Sequence, residues 1–332
     1  MRVAAVIRSG AIAQGAEVAA FERAAAARLG TAAAAAVSSG TAALELALRA
    51  LDVGAGDEVV IPTYVCDALH HAVTRVGATP VLADASPLTL SVEGGEVRRR
   101  LSARTRCAIV PHAFGLAAGL AAFGDLGVPI IEDCAQAIGA QDDGRPVGAR
   151  GRLAVVSFYA TKMVTTGEGG VVAGPPELIA RVRDLRQYDE HEDLAPRFNY
   201  KMTDFQAALG RSQLARLDQF VGRRRAIAAR YAAWLAGGPC GLPPDPAGGR
   251  HVYHRFIVDL RRPVEPVIEA LGARGVAARR PVFRPLHRAL GRSGYDAAGA
   301  LWERRLSLPC YPRLSDEEVD RVAGAVLEVL SA

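Results

Sequence analysis

The chain has 332 residues, half of them hydrophobic and 23% charged, with a formal net charge of +5. That length supports two domains and a large core, while no run reaches the ~20 apolar residues of a membrane span. The N-terminal apolar stretch is too short for a secretory signal, and the arginine clusters at 98–100, 223–225 and 279–280 sit among acidic residues with no nucleic-acid motif beside them.

In chain order, an alanine-rich helix is predicted over 17–36. Ser38-Ser39-Gly40-Thr41 then precedes an apolar helix at 42–51. Strand signals at 57–62, 80–84, 107–111 and 128–131 alternate with helical patterns at 66–76 and 92–101. Further apolar runs at 153–158 and 170–173 flank a segment containing Lys162. Short, almost wholly apolar strands between helices predict an α/β fold with a mostly parallel sheet covered on both faces. A long helical stretch at 204–235 follows, with a break expected near Val221-Gly222. A Gly/Pro-rich connector at 237–249 leads to a strand at 251–260 and helices at 264–275 and 316–330. The expected division is a large part over 1–235 and a smaller α+β part over 236–332.

The five cysteines, Cys66, Cys107, Cys134, Cys240 and Cys310, form no CxxC pair, and the seven histidines show no metal spacing. This fits a reducing, cytoplasmic setting and predicts neither a disulfide framework nor a metal site.

Only two lysines stand against thirty-eight arginines. A lysine that survives such a bias is needed as an amine. A guanidinium neither loses its proton at workable pH nor forms a Schiff base, and a lysine amine does both. Lys162 is therefore a candidate covalent anchor for a carbonyl cofactor. Ser38-Ser39-Gly40-Thr41 opens a helix as a phosphate site would, or as a plain N-cap. Asp133 ends a buried strand, where it pairs with a protonated ring nitrogen or with a neighbouring helix or cation. Tyr64 either stacks on a flat ring or fills the core. Asn199, the sole asparagine, serves a specific hydrogen bond or a turn.

Taken together, these segments resemble the DegT/StrS-type sugar aminotransferases, which are pyridoxal phosphate (PLP) enzymes of fold type I. The resemblance runs through Ala13-Gln14-Gly15, 39–44, 56–64, 132–137, 157–170, 199–210 and 306–312. By position, it implies that Lys162 forms the Schiff base with PLP and shuttles protons, and that Asp133 binds the pyridine nitrogen. It further implies that Tyr64 stacks on the ring and that Gln136 sits beside the ring's 3-hydroxyl. Gly40, Thr41, Ala42 and Ser157 match phosphate-binding positions. Asn199 matches a residue that reaches the neighbouring subunit's cofactor, which implies a homodimer with shared active sites. Family members often carry histidine where Gln136 and Tyr159 stand. The resemblance implies a reaction that moves an amino group from glutamate or glutamine to a nucleotide-linked keto-sugar by ping-pong chemistry. A cyclitol or other cyclic-ketone acceptor, and a PLP-binding regulatory protein without turnover, are the alternatives. The segment 277–287 is expected to border the substrate, with the roles of Arg279, Arg280, Arg284 and His287 left unassigned.

Overall fold

The computed structural model describes residues 2–189, 191–245 and 249–331. Residues 246–248 of the expected connector fall outside them. The first half contains α1 (Arg2–Ser9), α2 (Ala16–Leu29), β1 (Ala33–Val37), α3 (Gly40–Ala50), β2 (Glu58–Pro62), α4 (Ala68–Arg75) and β3 (Thr79–Ala83). Next come α5 (Gly94–Arg100), β4 (Thr105–Pro111), β5 (Ile130–Asp133), the two-residue arms β6 (Gln141–Asp142) and β7 (Arg145–Pro146), β8 (Leu153–Ser157) and β9 (Gly170–Gly174). The remainder comprises α6 (Pro176–Leu185), α7 (Asp204–Leu214), α8 (Leu217–Leu235), β10 (Phe256–Asp259), α9 (Glu265–Gly272), α10 (Leu286–Ala289), α11 (Asp296–Arg304), β11 (Arg305–Leu308) and α12 (Asp316–Ser331).

Seven strands form one sheet in the order β1-β9-β8-β5-β4-β2-β3. Within it, β3, β2, β4, β5 and β8 are parallel, and β9 runs antiparallel to both of its neighbours. The pleat sends alternate residues to opposite faces. Leu153 and Val155 of β8 therefore join the core under α3 and α4, while Ala154 and Val156 join the core under α2 and α7.

The expected helix over 17–36 is a helix and a strand. Gly30 ends α2 in the left-handed region (φ 65°), donating its N–H to Ala26 O and Ala27 O. Glycine enters that region without a Cβ clash. Ala33–Val37 then pairs with β9 as buried sheet. The tertiary contact overrides alanine's helical preference here.

The expected break at Val221-Gly222 lies earlier. Arg216 (φ −104°, ψ 3°) interrupts the helix between α7 and α8, and Gly222 sits inside α8 where a Cβ would meet only open space. At the other end of α7, Thr203 and Gln206 form a capping box. Gln206 Nε2 also donates to Glu168 O at 2.8 Å, holding the segment that follows Lys162.

A separate apolar cluster joins α9, α12, β10 and β11 to the second half of α8 through Ile227, Tyr231 and Leu235. Strand β10 pairs antiparallel with β11, with Phe256 opposite Leu308. The strand expected over 251–260 is thus shorter, because Tyr253 takes a positive φ of 47° just before it.

Candidate active site

The carboxyl ends of β2, β4 and β5 open into a cavity of about 310 Å³. Ligands settle at such ends in open α/β sheets, because the loops there diverge and leave a crevice. Tyr64, Asp133, Gln136 and Lys162, each predicted from sequence, all line it. Lys162 enters on a turn after β8, its N–H donating to Tyr159 O at 2.9 Å.

Asp133 closes β5 and is 8% exposed. Burial pushes its carboxyl pKa up, against the pull of the Ala135 N–H and the charge of Lys162. One oxygen, Oδ1, accepts from Ala135 N–H at 2.9 Å. A buried acid held this way gains most from a cationic group brought opposite it. Tyr64 is 3% exposed, and its hydroxyl finds no hydrogen-bond partner among the described residues. Burial raises its phenol pKa as well. An orphaned buried hydroxyl is costly, so a ligand that supplies its partner is favoured.

Gln136 Oε1 accepts the N–H of Phe114 at 2.8 Å. Phe114 holds a left-handed φ of 57° on the cavity wall and meets the Tyr64 ring edge-on at 6.2 Å. A non-glycine residue in that region is strained, and strain of this kind gathers at binding sites.

Beneath Asp133 lies His112, 1% exposed, whose Nε2 donates to Glu132 at 2.8 Å. The Ala118 N–H donates to His112 Nδ1 at 3.1 Å, so the proton sits on Nε2. Glu132 also accepts backbone N–H groups of Gly148, Arg150 and Gly151. Burial pushes the Glu132 carboxyl up, but the bonds from His112, Gly151 and Gly148 hold it below its ordinary value. His112, Glu132 and Cys134 bring donor atoms within 4.8 Å of one another. The histidine and glutamate atoms are already committed to hydrogen bonds, so the cluster reads as scaffold for β5.

The expected phosphate-binding residues gather elsewhere than on this cavity wall. Ser39 Oγ caps α3 by accepting from Ala42 N–H at 3.0 Å. This uses one predicted donor and leaves the N–H groups of Gly40 and Thr41 at the helix start with no acceptor among the described residues. Gly40 packs against Ser157 so closely that a Cβ there would lie 2.7 Å from the Ser157 Cβ. Asn199 is exposed and makes no side-chain hydrogen bond among the described residues. Its neighbour Tyr200 accepts the Ser38 N–H at 2.8 Å, which sets the Asn199 backbone beside the same turn.

Residues 281–284 line the cavity, and the chain continues to His287 beside Thr63. His287 Nδ1 lies 2.9 Å from Thr63 Oγ1, which in turn accepts the His287 N–H at 2.8 Å. Arg280 stacks on Trp302 at 3.6 Å and pairs with Glu265, while Arg284 is an exposed lining residue. Sequence reasoning missed His112, Phe114, His254 and Arg255 as cavity residues. The position of His112 at the end of β4 was the only available signal.

Residues 1–327 match the DegT/DnrJ/EryC1/StrS aminotransferase family. A UDP-N-acetyl-3-dehydro-alpha-D-glucosamine 3-aminotransferase of Acidithiobacillus ferrooxidans is 36% identical over 312 residues, covering 88% of this chain and 83% of the relative. The dTDP-3-amino-3,4,6-trideoxy-alpha-D-glucose transaminase of Streptomyces venezuelae is 36% identical, covering 98% of this chain and 90% of the relative. Among solved structures, S. venezuelae DesV with a ketimine intermediate superposes with a TM-score of 0.95 at 35% identity, covering 100% of this chain and 94% of its own. A Streptococcus pneumoniae protein in a PLP form gives a TM-score of 0.93 at 27% identity, covering 99% and 95%. The chain belongs to the DegT/DnrJ/EryC1/StrS aminotransferase family.

Proposed function

We propose that this sugar aminotransferase uses pyridoxal phosphate to move an amino group from glutamate or glutamine to a nucleotide-linked keto-sugar. The observation that carries the reading is the meeting of Lys162, Asp133 and Tyr64 in one cavity at the carboxyl end of the sheet. When bound, the cofactor supplies an aldehyde for the incoming amine and a ring that withdraws electrons from the reacting carbon.

Lys162 would hold that aldehyde covalently. Among the described residues it is the only amine on the cavity wall. Its Nζ would also serve as the base that takes the proton from the donor's α-carbon and returns one. Asp133 would keep a proton on the ring nitrogen, because its own burial makes a cationic partner favourable. Tyr64 would cover one ring face and exclude water, and Gln136, anchored on the Phe114 N–H, would hold the ring edge. The N–H groups of Gly40 and Thr41 and the Ser157 hydroxyl suit a phosphate at the start of α3.

Asn199 would serve the site of a second copy, and its exposed side chain supports that role. The active species is then a homodimer with shared sites. The division at 235/236 belongs to the same reading; the separate apolar cluster supports it, although α8 contributes to both parts. A cytoplasmic setting suits the five free cysteines.

The test is spectroscopic. The holoenzyme's yellow absorbance should bleach on adding glutamate or glutamine and return on adding a nucleotide-linked keto-sugar. Recovery with a free cyclitol ketone but not with any nucleotide-linked sugar would overturn the acceptor assignment.

A further inference from the structure

The buried Arg186 and Arg224 and the half-buried Arg305 each have several partners or an acid, although the Nε atoms of Arg186 and Arg224 have none among the described residues. Arg186 donates to Glu22 at 2.6 Å and to Ala36 O at 2.9 Å. Arg224 donates to the carbonyls of Tyr253, His254 and Cys310. Arg305 lies 3.5 Å from Asp259 and donates to Pro87 O at 3.2 Å. A guanidinium taken out of water needs such partners, because its desolvation cost is otherwise unmet.

Arg255 departs from this pattern. It stands just before β10 and makes one long contact, Nη1 to Ser307 Oγ at 3.4 Å. Its Nε lacks a partner as those of Arg186 and Arg224 do, but no second contact of its Nη atoms compensates, and no carboxylate of the described residues pairs with it. It lines the cavity that holds Lys162, Tyr64 and Asp133. It also lines the adjoining cleft of about 880 Å³, which Lys162 and His254 share. The next residue back, His254, is 8% exposed and leaves its Nδ1 unpartnered. Two side chains from one segment of the smaller part, each with one long contact and one unpartnered nitrogen, thus sit beside the reactive lysine.

We infer that Arg255 is the binding residue for the α-carboxylate of the amino donor. The inference rests on the aminotransferase reading and adds a residue to it. The α-carboxylate is bonded directly to the carbon whose amine is transferred, so its partner must share the cavity with Lys162. A guanidinium fork receives a carboxylate through two parallel hydrogen bonds. The diphosphate of a nucleotide-linked acceptor is bonded away from the keto carbon and points outward, where Arg284 is exposed. The two anions are therefore sorted by depth, with the carboxylate inside on Arg255 and phosphate outside.

The two half-reactions separate these sources. In single turnovers followed by absorbance, Arg255→Gln should lower kcat/KM for glutamate by about 100-fold. The return half-reaction, from amine-loaded enzyme and keto-sugar, should stay within about twofold. Arg255→Lys, which keeps the charge and loses the fork, should fall about 10-fold in the donor half alone. That variant decides the matter if the glutamine variant does not fold. Calorimetry with glutarate, a dicarboxylate without an amine, should show binding to the holoenzyme that is lost in Arg255→Gln. A simple alkyl amine should react equally with both proteins. Loss confined to the acceptor half, equal loss in both halves, or no loss would each overturn the inference. If the unaltered enzyme shows no donor half-reaction at all, the aminotransferase reading fails instead.

Discussion

Gly40 lies against Ser157 with no room for a side chain, since a Cβ would come 2.7 Å from the serine's Cβ and 3.0 Å from its Oγ. The contact joins the first turn of α3 to the end of β8, the two places expected to share a phosphate. Gly40→Ala must separate them. Overpacking of this kind costs about 1–3 kcal/mol, and PLP retention on dialysis should fall with it. Urea unfolding with and without PLP measures both. Unchanged stability and retention would show that the turn is not a cofactor cradle.

The His112–Glu132 bond makes a second prediction. His112→Phe removes the side-chain donor and leaves Glu132 on its three backbone N–H groups. A hydrogen bond to a buried charge is worth about 2 kcal/mol, so the urea midpoint should drop accordingly. A midpoint equal to that of the unaltered protein would mean that the bond contributes nothing to β5.

A third prediction concerns acid. Burial pushes His251 down to about 3, and pushes His254 well below its ordinary value. The His251 ring stacks on Tyr253 at 3.9 Å, and Nδ1 accepts the Tyr253 N–H at 2.9 Å. A histidine whose folded pKa is depressed stays neutral in the fold while the unfolded chain takes up a proton. Its contribution is complete above the unfolded pKa of about 6.5 and is lost as pH falls towards 3. The loss runs at about 1.4 kcal/mol per pH unit for each such group. Between pH 7 and pH 5, His251→Asn should therefore lose about 2 kcal/mol less than the unaltered protein. Identical pH dependence of the two urea midpoints would remove His251 from the account.

Shared sites make a fourth prediction. Lys162→Ala and Asn199→Ala should each be impaired alone. A refolded equal mixture should recover about a quarter of full activity, because half of the dimers are mixed and each mixed dimer holds one intact site. No recovery would place Asn199 in its own subunit's site or outside any site.

The sequence was most legible where chemistry constrains residue type. The scarcity of lysine singled out Lys162, and the strand-end carboxylate singled out Asp133; both line the same cavity. It was least legible where packing overrides preference. Ala33–Val37 has a helical composition and lies in the sheet, because β9 supplies a partner and Gly30 has already ended α2. The α7–α8 break fell at Arg216 rather than Gly222, since a glycine on an open helix face is tolerated. Arg255 could not be read at all. Its meaning depends on which acids lie near it in space, and thirty-eight arginines disguise one that has no acidic partner among the described residues.

The central claim is that Lys162 carries the cofactor. Borohydride reduction of the PLP-loaded enzyme, followed by proteolysis and mass spectrometry, tests it most directly. The account predicts a pyridoxyl group on the peptide containing Lys162. The same label on Lys201, or its absence from a protein that still retains PLP, would contradict it.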